Sequence, residues 1–204
     1  MFTAYHKAAV KGADSTPISS EWLCHCLDET IDENSLIIEE AITNRYAVLH
    51  QLRRTKPDTY WTGGTSLGFA LGGALGVKLA APDKTVVSLI GDGSFVFGCP
   101  TATLWAAAAY KVPFLTIIFN NGQYTAPKLA LRWEMGKESY SDSCGPWIGT
   151  DITPSPDYAA IARGCHCFGQ MVTDPAQIKS ALNNALDQVR RGKPAVLDVR
   201  VAGL

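Results

Sequence analysis

Residues Gly91-Asp92-Gly93 and, after residues 94–119, Asn120-Asn121 have the types and spacing to hold an ion. Apolar runs precede both, Thr85-Val-Val-Ser-Leu-Ile90 and Val112-Pro-Phe-Leu-Thr-Ile-Ile-Phe119, so each polar motif stands where a buried strand ends. In open α/β sheets ligands gather at the carboxyl ends of strands, and an acid and an amide delivered by neighbouring strands can converge on one cation. Magnesium takes oxygen ligands in near-octahedral array and shares its shell between one or two carboxylates and phosphate oxygens. Asp92 supplies the anion, the Asn121 side chain a neutral carbonyl oxygen, and the chain at Gln123 a backbone carbonyl. Gly91 and Gly93 let backbone N–H groups approach a diphosphate closely, and Ser94 adds a hydroxyl. Either motif alone reads as a turn. On successive strands they imply a magnesium site for a phosphorylated cofactor.

The elements that must position these residues follow a βαβ rhythm: a strand at Val86–Ile90, a helix at Thr101–Tyr110 and a strand at Phe114–Phe119. Upstream, Ser19 or Ser20 can cap a helix through Glu21–Leu27. Leu36–Ile38 reads as a short buried strand, with Glu39–Asn44 as the turn out of it. A helix over Tyr46–Arg54 stops before Lys56-Pro57, and the glycine-rich Thr62–Ser66 opens another from Leu67 to Leu79. Gly68, Gly72 and Gly76 share one face of that helix, which would let it lie close to a strand, a helix or a second subunit. Residues Gly122–Pro156 show no sustained period apart from a short helix near Lys128–Trp133, the pattern of a functional flap. Trp133, Tyr140 and Trp147 in it could line an apolar pocket or simply pack on the surface. A short helix at Asp157–Arg163, a strand at Gly169–Val172, an amphipathic helix at Pro175–Arg190 and a strand at Ala195–Val201 complete the chain.

The 204 residues suffice for one well-buried domain, expected over 18–204 behind a loosely held lead-in at 1–17. A formal charge of -1 gives no electrostatic reason to expect nucleic acid, and Leu67–Val77 is too short to span a bilayer. The first fifteen residues lack the charged start and apolar centre of a secretory signal, so the protein reads as soluble and intracellular, in the cytoplasm. Cys24-His25-Cys26 and Cys165-His166-Cys167 lack the CxxC spacing of structural zinc sites and read as buried thiols.

Several segments together carry a resemblance: Glu39-Glu-Ala-Ile-Thr-Asn44, Leu67-Gly-Phe-Ala-Leu71, Gly91-Asp-Gly-Ser94, Leu104-Trp-Ala-Ala107, Asn120-Asn-Gly-Gln-Tyr124 and Pro156-Asp-Tyr-Ala-Ala160. The chain resembles the thiamine diphosphate-dependent enzymes of the acetolactate synthase and benzoylformate decarboxylase group. The match runs from roughly Ile18 to Val201, over the C-terminal, diphosphate-binding domain alone of that family's three. The fold implied is a three-layer, doubly wound α/β sandwich with a mostly parallel central sheet.

Carried over by residue, the resemblance implies that Asp92, Asn121 and the Gln123 backbone oxygen hold Mg2+. Gly91, Gly93, Ser94 and Tyr124 would surround the diphosphate, with Thr43 or Asn44 touching it from an earlier strand end. Leu67 would be the bulky apolar residue under the cofactor, although periodicity alone makes it an ordinary core position. The Thr65 carbonyl would face the pyrimidine amino group. The implied activity is decarboxylation or carboligation of a small 2-oxo acid. The family's glutamate at the pyrimidine ring belongs to a separate domain, for which this length leaves no room, and Glu39 and Glu40 fall on the diphosphate side. No catalytic residue is therefore assigned. The expectation is a homo- or hetero-oligomer in which a related chain supplies a pyrimidine-binding domain. The alternative is a non-catalytic module that docks onto a related full-length enzyme.

Overall fold

A computed structural model describes residues 2–63, 66–136, 140–143 and 147–203. In chain order the elements are α1 (Phe2–Lys11), α2 (Ser20–Thr30), β1 (Leu36–Glu40), α3 (Arg45–Gln51), β2 (Tyr60–Thr62), α4 (Phe69–Ala80), β3 (Val86–Gly91), α5 (Asp92–Phe97) and α6 (Pro100–Ala109). They continue as β4 (Leu115–Asn120), α7 (Thr125–Met135), α8 (Tyr140–Ser143), α9 (Tyr158–Gly164), β5 (Phe168–Val172), α10 (Ile178–Arg190) and β6 (Ala195–Arg200). A 3-10 turn, Ile42–Asn44, joins β1 to α3.

The six strands form one sheet in the order β2-β1-β3-β4-β6-β5, and every pairing is parallel. β1, β3, β4 and β6 are buried along nearly their whole length, as a parallel sheet covered on both faces requires. Alternation along the strands sorts their side chains between two cores. Ile37, Val87, Leu89, Ile117 and Leu197 join α2, α3 and α10 on one face. Ile38, Val86, Ile90, Ile118 and Val196 join α4, α6 and α9 on the other. The architecture is thus a three-layer, doubly wound α/β sandwich.

Local chemistry explains the boundaries. Ser19 caps α2, its Oγ accepting the Trp22 N–H at 3.3 Å, and Asp157 caps α9 by accepting the Ala160 N–H at 2.7 Å. Ile178, Ala181, Leu182, Ala185, Leu186 and Val189 bury one face of α10 at helical spacing.

Several elements differ from expectation, among them two unexpected short helices, α5 and α8. Residues 2–11, read as part of a loose lead-in, form α1, with Ala9 fully buried, the Tyr5 ring stacked 3.9 Å from His50 and the Gln51 amide donating to the Tyr5 carbonyl. Its docking depends on tertiary partners, which a ten-residue pattern does not display. β1 runs through Glu39 and Glu40, both buried; Glu39 pairs with Arg45 and the Tyr60 hydroxyl, and Glu40 with two backbone N–H groups. α4 begins at Phe69, because Gly68 before it takes a left-handed φ of +88. Here a Cβ would collide with the Gly98 backbone, so both conformation and space demand glycine. The stripe at Gly72 and Gly76 faces open space, and the close approach inside the chain falls at Gly68 and Gly98. Finally, β2 adds an edge strand, and α7 is longer than the segment 128–133.

His25 on α2 meets the His6 ring of α1 edge-on at 4.4 Å and places Nε2 3.3 Å from Glu29 Oε1. Burial holds its pKa below the ordinary 6.5; Glu29 opposes that shift, while His6 and Lys179 add to it. A folded-state pKa below the unfolded one means stability is fully present above the ordinary value and is lost as pH falls beneath it. The urea midpoint should therefore drop between about pH 7.5 and about pH 5.5. In His25→Gln that drop should shrink, and an unchanged slope in the variant would remove His25 from the account.

Candidate functional site

Strand order sets the place of the site. The chain leaves β1 through α3 on one face toward β2, and leaves β3 through α5 and α6 on the other face toward β4. The gap between the carboxyl ends of β1 and β3 is therefore a topological switch point, where open α/β sheets bind ligands. A cavity of about 340 Å³ lies there.

Its wall gathers residues from four places in the sequence. Thr43 and Asn44 come from the turn after β1, Leu67 from the loop before α4, Gly91, Asp92, Gly93 and Ser94 from the end of β3, and Asn121, Gln123 and Tyr124 from the end of β4. Every expected site residue that is described lines this one cavity, whereas Thr65 lies outside the described residues. Trp133 and Tyr140 stand on the exposed surface instead. Trp147 is buried beneath Lys128 and Arg132, which sit 4.9 and 5.0 Å from its ring, and is not part of the cavity wall.

Asp92 is 2% exposed. Its Oδ1 accepts the Gly93 N–H at 2.9 Å and its Oδ2 the Gly122 N–H at 2.7 Å, so a backbone hydrogen bond crosses from the β4 end to the β3 end. Burial pushes the Asp92 carboxyl up to about 6, with these N–H groups pulling the other way. Among the described residues no cationic side chain forms an ion pair with it. Asn121 Oδ1 accepts the Gln123 N–H at 3.1 Å and its Nδ2 donates to Thr125 Oγ at 3.0 Å, which aims the carbonyl end of the amide at the turn. The glycine at 93 has a packing cause as well: a Cβ there would stand 2.5 Å from the Tyr124 ring.

A buried carboxylate, an amide oxygen and a backbone carbonyl form a hard-oxygen donor set with one formal charge. That suits a magnesium ion whose remaining ligands are phosphate oxygens. Gly91 keeps the adjoining space open, since a Cβ on it would meet nothing within 4 Å. The residues present fit the group.

Comparison with known proteins points to a cofactor class. The family model for the thiamine pyrophosphate enzyme C-terminal TPP-binding domain matches residues 42–199. The chain belongs to this family. It is 32% identical over 186 residues to a benzoylformate decarboxylase of Pseudomonas aeruginosa, covering 90% of this chain and 32% of that protein. With the Escherichia coli acetolactate synthase isozyme 3 large subunit it shares 32% identity over 142 residues, covering 68% of this chain and 22% of the relative. The thiamine diphosphate-dependent 4-hydroxybenzoylformate decarboxylase of Rhodococcus jostii RHA1 superposes with a TM-score of 0.80 at 28% identity, over 94% of this chain and 33% of that one. The chain thus spans about a third of the length of the decarboxylases it matches. It is the TPP-binding C-terminal domain of a decarboxylase and synthase family.

Within this TPP-binding domain, sequence reasoning missed Glu40 as a supporting residue. Expected in a turn, it ends β1 and lines the cavity, 3% exposed. Its two oxygens accept the N–H groups of Gly68 and Ala70, the latter at 2.7 Å, which closes the first turn of α4 and holds the loop carrying Leu67. Glu39, one residue earlier, faces the opposite side of the sheet and binds Arg45 at 2.8 Å and the Tyr60 hydroxyl at 3.1 Å. Glu40→Ala should lower stability by about 1.5 to 3 kcal/mol, because two charge-assisted hydrogen bonds are lost in a buried place. Urea unfolding measures this, and a variant within error of the parent would show that the cap carries no energy.

Proposed function

We propose that this domain binds thiamine diphosphate through Mg2+ and serves as the diphosphate-side half of a 2-oxo acid decarboxylase or carboligase. The observation that carries the reading is the meeting of Asp92, Asn121 and Gln123 around one cavity at the switch point of the sheet. In this reading Asp92, the Asn121 side chain and the Gln123 carbonyl hold the cation. Gly91, Gly93, Ser94 and Tyr124 border the diphosphate, Thr43 or Asn44 reaches it from the β1 side, and Leu67 supports the cofactor rings.

Bound thiamine diphosphate supplies the electron sink that lets a 2-oxo acid lose carbon dioxide. The chain's own residues bind it, orient it and keep one side of it dry. Ser20 Oγ–H donates to Asn44 Oδ1 at 2.7 Å, which fixes that amide at the cavity wall. A pyrimidine-binding domain from another polypeptide, in a homo- or hetero-oligomer, would complete the site. The names of the relatives make aromatic 2-oxo acids such as benzoylformate the first substrates to try.

Calorimetry should show thiamine diphosphate binding that requires Mg2+, and Asp92→Ala should abolish it by removing the strongest anion of the donor set. Undiminished magnesium-dependent binding in that variant would overturn the cation assignment. Benzoylformate or pyruvate should turn over only after a pyrimidine-domain partner is added. Turnover by these residues alone would contradict the need for a partner, whereas binding without turnover in every pairing would favour a docking module.

A further inference from the structure

Behind the cavity, a second acid touches the cation site through an intermediary. Asp198, in the middle of β6, is fully buried, and its Oδ1 accepts the Asn120 Nδ2–H at 2.8 Å. Among the described residues its Oδ2 has no hydrogen-bond partner. A half-satisfied carboxylate inside a sheet opposes folding, and a hydrophobe of similar volume would be cheaper there. Such a group calls for an account other than stability.

Asn120 supplies it. This amide is 1% exposed, and its Oδ1 accepts both the Arg200 Nη1–H at 2.7 Å and the Gly122 N–H at 3.2 Å. The same Gly122 N–H donates to Asp92 Oδ2. An amide has one acceptor end and one donor end, and a flipped Asn120 would turn its NH2 toward two donors. Asp198 at the donor end, with Arg200 and Gly122 at the acceptor end, therefore fixes which way Asn120 points, and Asn120 Oδ1 helps to hold the Gly122 turn, whose φ is +74.

We propose that Asp198 is a positioning residue for the cation site: through Asn120 it holds the Gly122 turn that engages Asp92 and presents Asn121 and the Gln123 carbonyl. The cation itself rests on the function proposed above, whereas the held turn does not.

The test compares Asp198→Leu, which keeps the volume and removes a half-satisfied charge, with Asp198→Asn, which keeps an acceptor oxygen. In the chain without cofactor, amide hydrogen exchange read by NMR should speed up about tenfold or more at Gly122 and Gln123 in Asp198→Leu. The amides of Leu182 and Leu186 in α10 should keep their protection, and Asp198→Asn should stay within about threefold of the parent. The apparent Mg2+ affinity in thiamine diphosphate titrations should fall in the same order, about tenfold or more for the leucine variant. Exchange at Gly122 unchanged in Asp198→Leu, or rising in step with α10, would overturn the proposal, as would an asparagine variant no better than leucine. A parent chain that binds no cofactor would instead overturn the function proposed above, and the exchange data would still decide whether Asp198 holds the turn.

Discussion

The hydrogen bond from the Gly122 amide to Asp92 Oδ2 fastens the end of β4 to the end of β3, and residues from both ends line the cavity. Parallel strands leave their last residues without ladder partners at one common edge. Whatever closes that edge must be polar and must be aimed. In this protein a carboxylate from one strand takes its donor from the turn after the next, so the acid is held in place and its own field is partly offset. A cation arriving there would find its anionic ligand already oriented, without the entropy cost of ordering a surface side chain.

The same device recurs elsewhere in the sheet. Glu40 closes β1 by accepting backbone N–H groups from the start of α4, and Asp198 in β6 fixes Asn120 at the end of β4. Three acids, on β1, on β6 and just after β3, are thus spent on backbone or amide donors rather than on lysine or arginine. Backbone donors are stiff, so each acid transmits the position of one element to its neighbour. Arg200 extends the chain of contacts outward, from Asn120 to Ser155 at 3.0 Å, and the Ile152 N–H bonds back to the Gly122 carbonyl at 2.8 Å.

Much of this was legible from residue order, for identifiable reasons. Apolar runs ending in Gly-Asp-Gly and Asn-Asn place their polar residues at strand ends, since buried parallel strands admit few other polar positions. That reasoning reached Asp92, Asn121 and their neighbours. It did not reach Glu40 or Asp198, because an acid beside or inside an apolar run gives no sign of the donor it will meet. The available signal was their oddity: a charge in a strand that must be buried on both faces requires a partner. Helix α1 escaped for a related reason. Its order comes from the ring contacts of Tyr5 and His6 with residues far along the chain, not from a strong pattern of its own.

The cavity has firm walls on the strand side and a thinner one on the side of α7. Ala126, Pro127 and Ala130 of α7 face the cavity, yet only Thr125 of that helix is buried, and Leu129, Leu131, Trp133 and Met135 stand exposed. Leu129 and Trp133 share one face of α7 and Leu131 and Met135 the opposite one, and exposed large apolar side chains mark surface that gains by being covered. A cofactor held by the sheet edge would therefore have one side anchored by stiff backbone donors and another bounded by a helix that packs through Lys128 and Arg132 on Trp147 and the Arg132–Asp142 ion pair. Site preorganisation requires every wall to be locked by its neighbours. Among the described residues the lock is tighter around Asp92 than around α7, and that asymmetry supports the proposal that a partner domain covers this side.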